Sequence, residues 1–171
     1  DYSPGLVTYA GSLPGAYDAG TFKQILVDKP LTINGETGAR VLVDLPTDTS
    51  LTGRTVGFTV AADDVTINNM EIAGPLGGVS YKDVSFADYG YLYGVFVARN
   101  VQNAVLTNNK IHDLRTGVTF EGNNTATASG NVIHNTKGAF LVRSAGISLN
   151  NNSFGTAHNE WDLTLLGGLP D

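Results

Sequence analysis

The feature that most constrains the fold is a short pattern that recurs along the chain. In each copy, an apolar residue and a second apolar residue five positions later enclose a polar run. Four copies align without gaps: I67-N-N-M-E-I72, L106-T-N-N-K-I111, A128-S-G-N-V-I133 and L149-N-N-N-S-F154, and a weaker one is I33-N-G-E-T-G38. Leu106 and Ala128 are 22 residues apart, and Ala128 and Leu149 are 21 apart. The earlier intervals are longer, at 34 and 39 residues. This period predicts a repeat protein in which two coils are lengthened by loops.

A second motif lies between these copies and begins with glycine. Its members are G57-F-T-V-A61, G94-V-F-V-A98, G117-V-T-F-E121 and G138-A-F-L-V142. Each repeat therefore holds at least two short alternating strands. No segment of a dozen residues keeps an apolar stripe at helical spacing, so the pattern predicts an all-β solenoid.

Stacked coils of such a solenoid would pair their strands in parallel about 4.8 Å apart and bury one continuous apolar column. The residues expected to face inward are Val65/Ile67, Leu106/Ile111, Ala128/Ile133 and Leu149/Phe154, with Val95/Val97, Val118/Phe120 and Ala139/Leu141 on the next sheet.

Asparagine recurs at one position of the aligned copies, although this residue is depleted in strands. Asn109, Asn131 and Asn152 share the position, and Met70 occupies it in the earlier copy. Stacked turns would place the amides above one another, so each could donate to the next and accept from it. We predict a structural asparagine ladder that ends at Met70; the alternative is a row of amides that binds a ligand.

These residues resemble the right-handed parallel β-helix proteins of the pectate-lyase-like superfamily. The N-N-x-I copies carry the likeness together with A19-G-T-F-K-Q-I-L-V-D-K-P-L-T-I-N-G35, which is similar to the opening coil of such domains. The resemblance covers roughly residues 19–155. It implies an all-β, right-handed parallel β-helix of about five to six coils with an aromatic-rich loop insertion. Residues 1–18 would form an N-terminal cap or arm, and residues 156–171 a C-terminal cap or the start of a further coil. Members of the superfamily include polysaccharide lyases and hydrolases, epimerases, phage tailspikes and adhesin modules.

Composition narrows the setting of the protein. The net charge of −6 argues against nucleic acid and anionic membranes as partners, and no apolar run is long enough to insert into a membrane. The chain has no cysteine, one methionine and few lysines, which favours a secreted, extracellular or cell-surface protein. Because the chain begins at Asp1, we expect a mature or excised fragment.

The candidate catalytic residues come from two aligned repeats. His112 aligns with His134, Asp113 with Asn135, and Arg115 with Lys137. In lyases of this superfamily, a Lys or Arg removes the proton α to a uronate carboxyl and carboxylates hold Ca²⁺. The resemblance therefore implies Arg115 or Lys137 as base, with Asp113 near a cation and the His112–His134 pair beside them. The alternative is that all five residues are exposed turn residues that keep the solenoid soluble.

No metal site or cofactor is predicted. His112 and His134 could supply two zinc ligands, but the sequence offers no third. No calcium-binding nonapeptide repeat and no nucleotide-binding or nucleophile-elbow motif is present. A single Ca²⁺ ion held by loop carboxylates is the alternative.

The segment at 77–94 lengthens one repeat by about 17 residues over the period and is rich in aromatic residues. Long loops on solenoids often carry function, and aromatic rings stack on the faces of sugars. The candidate ligand-binding residues are Tyr81, Phe86, Tyr89, Tyr91 and Tyr93. The alternative is a loop that covers one side of the column and buries its own rings.

The sequence therefore favours an extracellular module, adhesin-like, that recognises a polysaccharide or other glycan. Catalytic members of this fold generally carry more coils, so we lean away from an enzyme. A polysaccharide lyase or uronate epimerase that uses His112, His134, Arg115 or Lys137 is the first alternative. A structural spacer or assembly subunit, whose ends or loops contact a protein partner, is the second.

Overall fold

A computed structural model describes residues 6–8, 21–43, 54–80, 91–155 and 159–166. Within these ranges, every regular element is a β-strand. The strands are β1 Leu6–Thr8, β2 Thr21–Val27, β3 Thr32–Asn34, β4 Arg40–Leu42, β5 Arg54–Val60, β6 Thr66–Asn68, β7 Glu71–Ala73, β8 Tyr91–Val97, β9 Ala104–Thr107, β10 Lys110–Phe120, β11 Thr125–Ser129, β12 Val132–Val142, β13 Gly146–Asn150 and β14 Trp161–Leu165.

The described strands form two parallel sheets, and the chain passes from one sheet to the other in each repeat. The larger sheet has the order β1-β2-β5-β8-β10-β12-β14, and β4 and β7 pair beside the first part of β10. The smaller sheet has the order β3-β6-β9-β11-β13. Every pairing is parallel except that of β1 with β2, which is antiparallel. The predicted all-β, parallel organisation is confirmed at this level.

The strand register follows the aligned repeats. Ile67, Leu106, Ala128 and Leu149 are successive partners across the smaller sheet, as predicted. The weaker first copy departs from the alignment: Ile33 pairs with Ile67, but Val41 and not Gly38 pairs with Ile72. Ile33 and Val41 are eight residues apart, against five between Ile67 and Ile72. The three extra residues form a turn on the outer surface before β4.

The predicted inward columns are buried between the sheets, with one correction. Ile67, Leu106 and Ala128 have no exposed surface, and Leu149 and Phe154 pack against the core at its edge. In β12, Phe140 pairs with Val118 and Val142 pairs with Phe120, so these two residues continue the columns. Ala139 is fully buried in the core, as expected, but Leu141 pairs with Thr119 and its assignment was therefore wrong by one residue. The cause is Gly138, which pairs with Thr116 instead of Gly117.

The adjacent residues Asn108 and Asn109 have different structural roles: Asn108 forms a tight turn, and Asn109 belongs to the amide ladder. Asn108 has a backbone φ of 54°, in the left-handed region that asparagine tolerates better than most residues. The equivalent residues Asn69, Gly130 and Asn151 also have positive φ, so a tight turn occurs at this point in each repeat. The next residue of each turn points inward: it is Met70 in the first of these turns, and in the later ones it is the asparagine that supplies the amide of the ladder.

The side chains of Asn109, Asn131 and Asn152 form the ladder that the alignment predicts. The Oδ1 atom of Asn131 accepts hydrogen bonds from the backbone N–H and the side-chain amide of Asn109, both at 3.0 Å. The Oδ1 atom of Asn152 accepts the same two bonds from Asn131, at 3.0 and 2.9 Å. Each side-chain Nδ2 also donates to a backbone carbonyl in the repeat below, such as that of Leu106. At the last rung, the backbone N–H of Met70 donates to Asn109 Oδ1 at 3.0 Å.

A column of glycines lets the strands of the larger sheet approach the core isoleucines. A Cβ atom added at Gly57, Gly94 or Gly117 would lie 2.6–2.7 Å from the carbonyl oxygen of the next repeat. At Gly117 it would also lie 2.7 Å from Ile133 Cγ2. Real Cβ atoms do not come so close, so glycine is required in this column until Ala139 occupies it at the upper end.

Candidate functional site

The strongest cluster of titratable groups lies on the outer face of the larger sheet, around His112. Ile111 faces the core, so alternation in β10 places Lys110 and His112 on the opposite face. The Nδ1 atom of His112 lies 2.9 Å from Asp113 Oδ2, and its Nε2 atom lies 2.9 Å from Glu71 Oε1. The imidazole is thus buried between two carboxylates.

Glu71 is the centre of a charge network that spans three repeats. Its carboxylate lies 3.3 Å from Lys110 Nζ and 3.8 Å from Arg40 Nε, besides the contact with His112. The hydrogen bond from His112 lowers the pKa of Glu71 below its ordinary value, and the charges of Lys110 and Arg40 act in the same direction. Glu71 is therefore ionised at neutral pH. The imidazole of His112, if neutral, could donate to only one of its two carboxylate neighbours, Glu71 and Asp113.

His134 stacks on His112 in the next repeat. The ring centroids are 4.8 Å apart and the planes differ by 3°, which matches the spacing of parallel strands. Burial lowers the pKa of His134, and the neighbouring His112 lowers it further. The Nδ1 atom of His134 is buried and has no hydrogen-bond partner. His134 is thus a neutral imidazole beside a histidine that faces two carboxylates.

The larger sheet bends at Asp113 and Asn135, which both have positive φ, 59° and 51°. The Asn135 side-chain amide donates to Asp113 Oδ1 at 2.5 Å and to the backbone carbonyl of Val79 at 2.8 Å. The bend brings the chain at Gly74–Ser80 to the histidine cluster. Val79, near the end of this described stretch, is therefore held beside these side chains.

The two predicted catalytic bases lie three residues after the histidines. Lys137 Nζ is 3.9 Å from Glu160 Oε2 and lies over the ring of Trp161, 5.2 Å from its centroid. Arg115 is partly buried. The structure therefore brings His112, His134 and Asp113 together, whereas Lys137 interacts with the strand on its other side, β14. Their catalytic roles stay predictions.

A polar depression of about 260 Å³ adjoins the cluster at Glu71. Its walls include the turn inserted before β4 and the asparagine turns of two later repeats. The lining residues are Glu36, Thr37, Gly38, Ala39, Asn69, Met70, Glu71, Asn108 and Lys110. Two carboxylates, an ammonium group and two amides thus surround one open space, which can donate to and accept from hydroxyl groups.

The structure describes the side chain of one predicted aromatic ligand-binding residue, Tyr93. Tyr81, Phe86 and Tyr89 lie outside the described residues, and Tyr91 is described only as the first residue of β8. Tyr93 is 6% exposed and its ring packs edge-on against Phe96 at 6.1 Å between centroids. The structure therefore places Tyr93 in the packed interior and not on an open surface.

Two features are absent from the described part of the chain. No group of three or more histidine and acidic side chains is placed to hold a metal ion. The described residues include no helix that could span a bilayer.

Sequence reasoning missed Glu71, the residue that connects this cluster. Glu71 in β7 is the strand partner of Lys110 in β10, and Ala73, two residues later, is the partner of His112. Because Lys110 and His112 share one face of β10, this register predicts that Glu71 lies close to His112. The alignment already places Glu71 in the column of Lys110, but the candidate catalytic residues come only from the repeats of His112 and His134.

Comparisons of the chain with protein-family models, with curated protein sequences and with solved structures give no match.

Proposed function

We propose that the chain is a right-handed parallel β-helix of about five to six coils, similar to the pectate-lyase-like superfamily. The parallel pairing of every repeat and the amide ladder support this fold. The function we propose for it is that of an extracellular, adhesin-like module that recognises a glycan.

One observation carries the proposed function: the polar depression between Glu36, Glu71, Asn108 and Lys110. Sugar hydroxyls both donate and accept, so sugar sites combine carboxylates, amides and ammonium groups as this depression does. The network of Glu71 with His112, Lys110 and Arg40 fixes the carboxylate before a ligand arrives. A preorganised polar group loses less entropy when it binds.

The aromatic segment gives a second support for glycan recognition. Val79 is held by Asn135 beside the histidine cluster, and the tyrosine-rich residues follow directly in the chain. Tyr89 and Tyr91 are the residues we expect to stack on sugar rings.

A glycan array and a titration with the best glycan test the proposal. We expect binding by the wild type, and a loss of about tenfold or more for Glu71→Gln and for the Tyr89→Ala, Tyr91→Ala pair. Lys29→Gln is the control, because Lys29 is exposed and does not line the depression. If no glycan binds, or if the variants bind as the wild type does, the proposal is wrong.

A polysaccharide lyase or uronate epimerase is the second candidate, and the His112–His134 arrangement favours it. A neutral His134 can accept a proton, and His112 stacks beside it between two carboxylates. An assay of uronate polymers for new ultraviolet absorbance detects the unsaturated product of a lyase. Absorbance that is lost in His134→Gln supports an enzyme, whereas no product from any polymer counts against a lyase.

An assembly subunit or spacer is the third candidate, and the surface of β14 favours it. Trp161, Leu163 and Leu165 are 48%, 47% and 71% exposed on the last described strand of the larger sheet. Exposed apolar strand edges promote association between chains. Sedimentation at increasing concentration would show assembly, and a monomer at every concentration would exclude self-assembly.

A further inference from the structure

A second cluster of charged side chains lies at the far end of the larger sheet, away from the histidines. Glu121 follows β10, Arg143 follows β12, and Arg99 lies two residues after β8. Glu121 and Arg143 occupy the same position in successive repeats, since their N–H groups donate to the carbonyls of Val97 and Phe120. The parallel stacking thus brings two guanidinium groups to one carboxyl group.

The carboxyl group of Glu121 is buried without a full set of partners. The residue is 3% exposed, and its Oε1 atom makes no hydrogen bond. Arg143 Nε lies 3.8 Å from Glu121 Oε1, which is beyond hydrogen-bonding distance. Buried polar atoms in folded proteins are normally satisfied, so this atom calls for an explanation.

Arg99 approaches the same place from the repeat below. Its Nε atom is buried and has no hydrogen-bond partner. The guanidinium lies against Gly122, whose missing side chain leaves the space: a Cβ atom there would be 3.4 Å from Arg99 Nε. Both Arg99 and Arg143 act electrostatically on Glu121, yet burial still raises the pKa of this carboxyl group. The cluster therefore carries an excess of positive charge within a chain of net charge −6.

A cavity of about 460 Å³ opens beside Arg143. Its lining is partly polar, with Asn123, Arg143 and Ser144, and partly apolar, with Val142, Leu165 and Leu166. This volume is within the range of sites for small ligands. Arginine binds carboxylates well because its planar group can donate two parallel hydrogen bonds.

We propose that the cavity beside Arg143 is a binding site for a small organic carboxylate. The ligand's carboxylate binds the guanidinium group of Arg143, with Arg99 adding to the positive field, and its apolar part packs against Val142, Leu165 and Leu166. Glu121 competes for the same guanidinium. This site is independent of the glycan site proposed above, because it shares none of its residues.

Titration with benzoate, with benzamide as its neutral isostere, tests the proposal on the whole chain. We expect saturable binding of benzoate about tenfold tighter than that of benzamide, with the NMR shift changes centred on Arg143 and Ser144. Arg143→Gln should weaken benzoate binding by about tenfold, and Lys29→Gln, at an exposed position that lines neither cavity, should leave it unchanged.

Glu121→Gln decides the matter if Arg143→Gln does not fold. This variant keeps the volume of the side chain and removes the competing negative charge. Benzoate should then bind at least about threefold more tightly at neutral pH. The proposal is overturned if benzoate does not saturate, if benzamide binds equally well, or if Glu121→Gln weakens binding.

Discussion

The imidazole rings of His112 and His134 lie face to face, with centroids 4.8 Å apart and planes 3° apart. Such stacking is unfavourable when both rings are charged, because the positive charges would be a strand spacing apart. The two histidines differ in their surroundings: His112 lies between two carboxylates, whereas the buried Nδ1 atom of His134 has no hydrogen-bond partner among the described residues.

The first prediction concerns the titration of His134. Burial and His112 lower its pKa, so the folded state binds this proton less readily than the unfolded state does. The resulting stabilisation is present above the ordinary histidine pKa of about 6.5 and is lost as the pH falls below it. An NMR titration of the His134 ring protons should give a pKa below that ordinary value. A pKa at or above it would contradict the assignment of a neutral His134.

The second prediction concerns the asparagine ladder. Asn131→Ala removes four hydrogen bonds in a buried turn, so we expect the free energy of unfolding to fall by about 2–5 kcal/mol. Asn150→Ala is the control, because its exposed side chain bonds only Ser148 and should cost less than about 0.5 kcal/mol. Urea unfolding of both variants measures the difference, and equal stabilities would show that the ladder contributes nothing.

The third prediction concerns the glycine column. Gly117→Ala would place a Cβ atom 2.7 Å from both Ala139 O and Ile133 Cγ2, so we expect a loss of about 1–3 kcal/mol or more. Gly138→Ala is a matched control, because no atom lies within 4 Å of its added Cβ. Thermal unfolding should separate the two variants by several degrees. Similar melting temperatures would contradict the strand register described for β10 and β12.

The sequence predicted much of the fold because its signals are local and repeated. The apolar anchors Ile67 and Leu106 and the amides Asn109 and Asn131 recur at fixed offsets, so one alignment places them all. The alignment failed at Gly138, where it relied on the glycine and not on the distance from the anchor. Six residues separate Ile111 from Gly117 but only five separate Ile133 from Gly138. Gly138 has open space around it, so it does not determine the strand register, whereas the buried Ile111 and Ile133 do.

The site was less predictable, because its contacts join residues far apart in the sequence. The His112–His134 stack follows from the repeat, and the alignment found it. The contact of Glu71 with His112 also follows from the register of the repeat, whereas that of Val79 with Asn135 spans 56 residues through an irregular segment. No periodic pattern specifies such a loop contact. The burial of Tyr93, whose ring packs against Phe96, was likewise not predictable from the repeat pattern.

Glycan recognition by the depression at Glu71 is tested most directly by a calorimetric titration with the best glycan from the array. The titration is made on the wild type, Glu71→Gln and Lys110→Gln, with Lys29→Gln as control. We expect both substitutions in the depression to weaken binding by about tenfold or more, while Lys29→Gln binds as the wild type does. Equal affinities for all four proteins would contradict the claim that the depression beside His112 recognises the glycan.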